Sequence, residues 1–398
     1  MQEKILNSIN KLDRWTEQNG WSGYDPYDIK SLTWVLKLTK WGNHYKFFEI
    51  WREIIFELFY TWPEFMRKIL RVKTQMIPKA MALFSKAYLD LYQQTGKNQF
   101  LDKSSLCLDW LINNKSETVT GVGWGYPFDW QTHQLIPKFT PNGIVTTAAG
   151  DAFWSWYKHS GEQKYLDICV QICIFLETLP IDRISDSQIC FSYTPLYKDH
   201  VHNLNLFIAE FLTKVGLEIQ NQQWIDFGTL ATNYTISNQR TDGAFDYNGP
   251  PETPKQFVDN YHSGFVLRML HSLWQMTEKK DIFDCLKKCY EHYMKSFFKD
   301  NKIPKLLPER TYRIDIHSCA ESINCLSQLA HSFPEGLKIA ENVANWTIEN
   351  LQDEEGYFYY GVLKSRFTGR LFIPKIPYIR WGQAWMLKSL SNLLKEVS

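Results

Sequence analysis

Histidines, carboxylates and their polar neighbours recur in this chain just where a helix is about to start. One set is His200, His202 and Asn203. A second is Asp259, Tyr261 and His262. A third is Asp315 and His317, with Glu321 a turn further on, and a fourth is Arg380, Trp381 and Gln383. Of the ten histidines, His202, His262 and His317 fall at equivalent points of consecutive segments, each near Asp or Asn. An imidazole changes charge close to neutral pH, so this pattern suits proton transfer. Asp259, His262, Asp315 and His317 are the acid/base candidates. His, Tyr and Arg together suit abstraction of a proton beside a carboxylate, as epimerisation and elimination require. Pairs of carboxylates across a cleft suit acid/base hydrolysis of a glycosidic bond. The residue types supply both sets and do not choose between them. A structural reading stands beside these: Asp and Asn at a helix start are ordinary caps for its free N–H groups.

The second chemical signal is aromatic. The stretch GVGWGYPFDW, residues 121–130, packs glycines, aromatics and one acid into a segment no helix would choose. Trp124, Tyr126 and Trp130 offer faces on which a sugar ring could stack, and Asp129 adds a carboxylate. Packing of the loop over the protein accounts for the same rings equally well. Other loops add Tyr193, Asp242, Asp246, Tyr247 and Tyr360. The substrate-contact candidates are Trp124, Tyr126, Asp129, Trp130, Tyr193, His202, Asn203, Asp246, Tyr261, Glu321, Arg380, Trp381 and Gln383.

The elements that must position these groups repeat. Segments opening with small or polar residues and turning apolar begin near residues 79, 145, 200, 257, 315 and 379. They are spaced roughly 55–65 residues apart, enough for two helices and a loop. The first five are each followed by a short polar turn and a second helix with apolar residues at three- and four-residue steps. The first helices are apolar over more of their circumference, which predicts burial on several sides. The amphipathic segment 1–18 is the natural partner for the last one, 379–396. Closure of that pair predicts an all-α fold: an (α/α)6 toroid of six hairpins spanning 1–398 as one domain. An open solenoid is the alternative. Connections from each second helix to the next first helix are long, emerge on one face, and are expected to form short β-hairpins there. NGWSGYDPYD (19–28) adds Asp25 and Asp28 to that rim. Residues 40–75 form an additional aromatic and basic segment, whose part 47–73 reads as one helix packed across the toroid, or as a contact for a membrane surface or partner enzyme.

Composition excludes several classes. The net charge of +1 gives nucleic-acid binding no electrostatic support. No window is long and apolar enough for a transmembrane helix, and the start lacks a secretory h-region. Eight scattered cysteines without a CxxC pair read as buried thiols, in keeping with a cytoplasmic setting. No DxDD run, Cys-His dipeptide, glycine-rich phosphate loop or GxSxG elbow is present. No cofactor and no metal site are expected; zinc held by the three histidines is the open alternative, without local ligand spacing to support it.

The ordered series GWSGYDPYD, IPKAMALF, GWGYPFDWQ, Tyr-Thr-Pro followed by VHNLN, DGAFDY, VDNYHSGFVL and RIDIHSCAESI resembles a family of (α/α)6-toroid proteins encoded in bacterial and archaeal surface-polysaccharide loci. The resemblance covers about residues 19–390. More distantly, the architecture is similar to N-acylglucosamine 2-epimerases, unsaturated glucuronyl hydrolases and other six-hairpin glycosidases. It implies a glycan context, with the site in the long-loop mouth. The expected ligand is a sugar, an oligosaccharide or a sugar nucleotide, and the expected activity is that of an epimerase, lyase or glycosidase in polysaccharide or glycolipid assembly. A non-catalytic glycan-binding or scaffold role is the alternative. Isoprenoid chemistry in the same fold is disfavoured by the missing DxDD motif.

Overall fold

The computed structural model describes residues 1–118, 120–132, 134–253 and 257–397. The chain opens with α1 (Gln2–Asn19) and makes a helical excursion through α2 (Thr33–Gly42), α3 (Lys46–Thr61) and α4 (Pro63–Ile69). It then alternates two kinds of helix: α5 (Pro78–Thr95) and α6 (Asn98–Asn113), α7 (Gly143–Ser160) and α8 (Gln163–Glu177), α9 (His202–Ile219) and α10 (Gln222–Ser237), α11 (Asn260–Thr277) and α12 (Lys280–Phe297), α13 (Ile316–Gln328) and α14 (Glu335–Leu351), and finally α15 (Trp385–Glu396).

Burial separates the two kinds. In α13 every residue from Ile316 to Ser327 is buried, and in α9 every residue from His202 to Thr213. In α12 only a stripe is buried: Ile282, Cys285, Leu286, Cys289, Tyr290, Tyr293 and Phe297. The first kind therefore needs neighbours all round, and a ring supplies them. α5 packs on α7, α7 on α9, α9 on α11, α11 on α13, α13 on α15, and α15 back on α5. Each of the first five carries the next helix in the chain as its outer partner, and α15 is covered by α1. Ile5, Ile9, Leu12 and Trp15 of α1 are buried, and Lys4 reaches Glu349 of α14 at 2.6 Å. The result is a closed (α/α)6 toroid.

The inner-to-outer turns are tight because the inner helices stop abruptly. α5 and α7 end on the left-handed residues Gly96 and Gly161 (φ 67° and 70°), which cost glycine nothing. Gln220 and Glu278 adopt the same conformation after α9 and α11. The long connections all lie at the opposite end. They carry small antiparallel pairings: β1 (Trp130–Gln131) with β2 (Leu135–Ile136), β3 (Ile181–Ser185) with β4 (Gln188–Phe191), β5 (Phe298–Lys299) with β6 (Ile303–Pro304), and β7 (Ile314–Asp315) with β8 (Gly361–Lys364) and β9 (Leu371–Phe372). All eight cysteines are free and buried.

Residues 47–73 depart from the single helix expected of them. The helix breaks at Trp62 (φ −127°, ψ 62°), directly before Pro63. Proline lacks the N–H that would continue the ladder and pushes the preceding residue out of the helical region. The excursion is therefore an α2–α3 hairpin followed by the short α4. It has its own small core of Ile29, Val35 and Phe59.

Candidate active site

The first turns of all six inner helices meet at one cavity of about 890 Å³. Lys79 comes from α5, Ile144 from α7, Asn203 from α9, Tyr261, His262 and Phe265 from α11, and His317 from α13. Arg380 and Trp381 come from a π-helical turn, Ile379–Ala384, that leads into α15. There Gln383 N–H bonds back to Tyr378 O, five residues earlier, at 3.1 Å. Single π-turns of this kind widen a helix and re-aim its side chains. The long loops supply Tyr126, Phe128, Trp130, Tyr193, Asp199 and Tyr247, the 19–28 segment adds Tyr27, and the excursion adds Thr39 and Asn43.

His262 is oriented by a buried carboxylate. Its Nδ1 lies 2.6 Å from Asp259 Oδ2, and Asp259 Oδ1 accepts the His262 backbone N–H at 2.8 Å. Asp259 is thus both the cap of α11 and the orienter of the imidazole. Its side chain is fully buried, whereas that of His262 is 25% exposed and borders the cavity. With Nδ1 committed, Nε2 is the atom left to meet a ligand. His317 is the opposite case. Neither ring nitrogen has a hydrogen-bond partner among the described residues, and the ring sits among Trp381 (4.3 Å), Tyr261 (4.9 Å) and Trp385 (5.0 Å). Burial, then the nearby Lys79 and Arg380, hold its pKa well below the usual imidazole range, so it is neutral. Tyr261 stands between the two imidazoles, 4.4 Å from His262 and 4.9 Å from His317.

Two basic side chains face the same space. Arg380 is gripped by Asp25, with Nε and Nη2 donating to the two carboxylate oxygens at 2.7 and 2.8 Å. Its guanidinium lies over Tyr126 at 4.9 Å and Trp381 at 5.1 Å. Lys79 makes no ion pair among the described residues; its Nζ lies over Phe265 (5.6 Å) and Trp385 (5.4 Å). Burial and the neighbouring Arg380 push its pKa well below the ordinary lysine value. Beneath the cavity, paired charges fill the ring axis: Arg268 with Glu321 at 2.5 Å, and Lys214 with Asp151 at 3.0 Å and Glu210 at 2.8 Å.

Asp199 lines the opposite wall. Both its oxygens accept the Tyr193 backbone N–H at 3.1 Å, and burial lifts its pKa to about 7. Between about pH 4, where an unfolded Asp titrates, and pH 7, the folded protein holds a proton that the unfolded chain has released. This group therefore weakens stability as pH rises through that window. Asp199→Asn is expected to remove that slope. In urea unfolding, wild type should lose stability relative to the variant from pH 4 to 7; parallel curves would refute the assignment.

Of the residues singled out from sequence, Tyr126, Trp130, Tyr193, Asn203, Tyr247, Tyr261, His262, His317, Arg380 and Trp381 border the cavity. The others serve it from behind or lie elsewhere. Asp315 caps α13 through His317 N–H (2.9 Å) and accepts from Trp381 Nε1 (2.7 Å), which fixes that ring. Gln383 clamps both backbone groups of Phe358 at 2.8 Å. Glu321 belongs to the axial ion pair with Arg268. His202 is stacked on Tyr234 at 5.5 Å, behind the wall. Trp124 is buried, donates to Leu111 O at 3.0 Å and stacks on Phe153. Asp129 accepts Lys138 N–H within its loop, and Asp246 pairs with Arg240 at 3.1 Å.

Lys79 and Asp199 were not singled out from sequence. A lysine in the apolar run IPKAMALF was the available signal for the first, since a buried helix face rarely tolerates one without use. Asp199 sits beside His200 in YKDHVHN, where it reads as one more cap. Among the described residues, no group of three or more His, Cys, Asp or Glu side chains is arranged to hold a metal ion.

No family model matches this chain, and no curated protein matches it in sequence. Solved structures do match in shape. The cellobiose 2-epimerase of Bacillus thermoamylovorans has a TM-score of 0.60 at 12% identity, covering 79% of this chain and 87% of its own. The GH76 alpha-mannanase of Bacteroides thetaiotaomicron has a TM-score of 0.60 at 11% identity, covering 79% and 86%. An unsaturated glucuronyl hydrolase specific for heparin has a TM-score of 0.56 at 12% identity, covering 81% and 88%. The fold is that of the six-hairpin glycosidase-like toroids.

Proposed function

We propose that the cavity binds a sugar and that His262 and His317 move a proton on it, as an epimerase or isomerase does beside a carbonyl. The observation that carries this reading is the imidazole pair. One ring is oriented by a buried carboxylate, the other is neutral and unpartnered, and both border one aromatic-walled cavity. A proton taken from a carbon beside a carbonyl leaves an oxyanion, and Arg380 supplies positive charge on the same floor, with the Lys79 amine lining it as well. Tyr126, Trp130 and Trp381 give a sugar ring apolar faces to stack on. The epimerase among the structural neighbours supports this reading, and the motif series supports a place in polysaccharide or glycolipid assembly.

One observation favours glycoside hydrolysis instead: Asp199, with a pKa of about 7, shares the cavity wall with Glu252. A raised carboxyl paired with a second carboxylate is the equipment of that reaction. Incubation in D2O with aldoses and oligosaccharides separates the readings. Proton transfer puts deuterium on carbon without new reducing ends, and hydrolysis does the reverse. Neither signal, with a sugar bound, leaves a binding protein.

A further inference from the structure

Large apolar side chains crowd the outside of the α2–α4 excursion. At the α2–α3 tip, Trp41, Tyr45, Phe47, Ile50 and Trp51 are 46%, 61%, 66%, 54% and 49% exposed. Phe48 joins their rings: it lies 5.1 Å from Trp41, 6.3 Å from Tyr45 and 5.4 Å from Phe47. Along α3, Phe47, Ile50, Trp51, Ile54 and Leu58 follow three- and four-residue steps and share one face, while the buried residues of the helix are Glu57 and Phe59. At the α3–α4 break and along α4, Trp62, Phe65 and Ile69 are 54%, 60% and 58% exposed. A water-facing surface seldom carries so many contiguous rings without an occupant.

The charges around them choose the occupant. Between residues 33 and 73 the exposed bases are Lys37, Lys40, Lys46, Lys68, Arg71 and Lys73, against one comparably exposed acid, Glu49; Glu53, 34% exposed, is held in ion pairs with Arg52 and Arg366. A second copy of this face would meet its own positive charge. An anionic headgroup layer meets it with the opposite sign, and Trp, Tyr and Phe rings flanked by Lys and Arg suit the boundary between headgroups and acyl chains. Among the described residues, no helix is long and apolar enough to cross a membrane. We propose that the α2–α4 excursion docks this protein on an anionic phospholipid surface, with the α2–α3 tip in the headgroup layer. Thr39 and Asn43 of α2 also line the cavity, so docking sets the cavity's mouth beside the bilayer.

The test is co-sedimentation of the full chain with vesicles of phosphatidylcholine, alone or with phosphatidylglycerol. Binding is expected to the mixed vesicles, to weaken with added salt, and to fall on the order of a hundredfold in Phe47→Ser/Trp51→Ser. Lys40→Glu/Lys46→Glu should lose roughly thirtyfold or more on mixed vesicles only. The altered side chains are exposed, so thermal unfolding should stay that of wild type and distinguish lost docking from lost fold. No binding by wild type, or equal binding by the serine variant, overturns the proposal. So does a dimer in analytical sedimentation that the serine variant converts to monomer, because the face is then covered by a second copy.

Discussion

His262→Ala is expected to lower turnover by roughly a hundred- to ten-thousand-fold, the usual worth of a positioned acid/base group. Sugar affinity should change little, because aromatic faces and Arg380 remain. The companion variant is Asp259→Asn. Asparagine caps a helix as well as aspartate does, so α11 should keep its start while the imidazole loses the carboxylate that orients it. A fall in kcat with KM preserved, together with loss of deuterium uptake from D2O, is the expected signature in both variants. Wild-type turnover in His262→Ala would end the acid/base role proposed for it. Loss of stability in Asp259→Asn, with normal turnover per folded molecule, would reduce Asp259 to a cap.

The second large effect concerns the pair that ties the 19–28 segment to the last inner helix. The side chains of Asp25 and Arg380 are 1% and 4% exposed and make a two-pronged contact. Asp25→Ala leaves a buried guanidinium without its counter-charge, which costs about 3–5 kcal/mol in comparable sites. Urea unfolding should show that loss. Adding Arg380→Met should recover a large part of it, because the stranded charge is gone, while sugar binding stays impaired because the cavity has lost a cation. If Asp25→Ala unfolds like wild type, the pair is not holding the rim.

The ring was legible because its inner helices are buried on all sides. That requirement writes small and apolar residues around the whole circumference, and the resulting starts near 79, 145, 200, 257, 315 and 379 fall at or within a few residues of the helix starts or, for the last, at its π-turn. The outer helices betrayed themselves by the three- and four-residue stripe that α12 shows. The break at Pro63 was written in the sequence too, but the continuous aromatic and basic run on either side masked it. The site is harder to read. Which polar residue at a helix start faces a ligand depends on tenths of a turn: Asp259 and Asp315 occupy equivalent caps, yet one orients an imidazole at the cavity and the other holds an indole. Trp124 and Trp130 lie in one loop, but one points into the core and the other to the mouth. Lys79 is hidden in the sequence by neighbours that are ordinary core residues, and only the closed ring shows that its amine meets the cavity.

Closure of the ring also governs how the protein can fold. α15 wedges between α5 and α13 and is covered by α1, so residues separated by more than three hundred positions must meet before the circle is complete; Lys4 and Glu349 are one such pair. On a ribosome, five hairpins can form in turn, but the slot between α5 and α13 stays open until residues 385–396 have emerged. Until then the flanks of α5 and α13 face water, and a hairpin from a neighbouring chain could occupy the gap. Assembly of this kind is slow and depends on contacts distant in sequence. Its rate is set by the last helix to arrive.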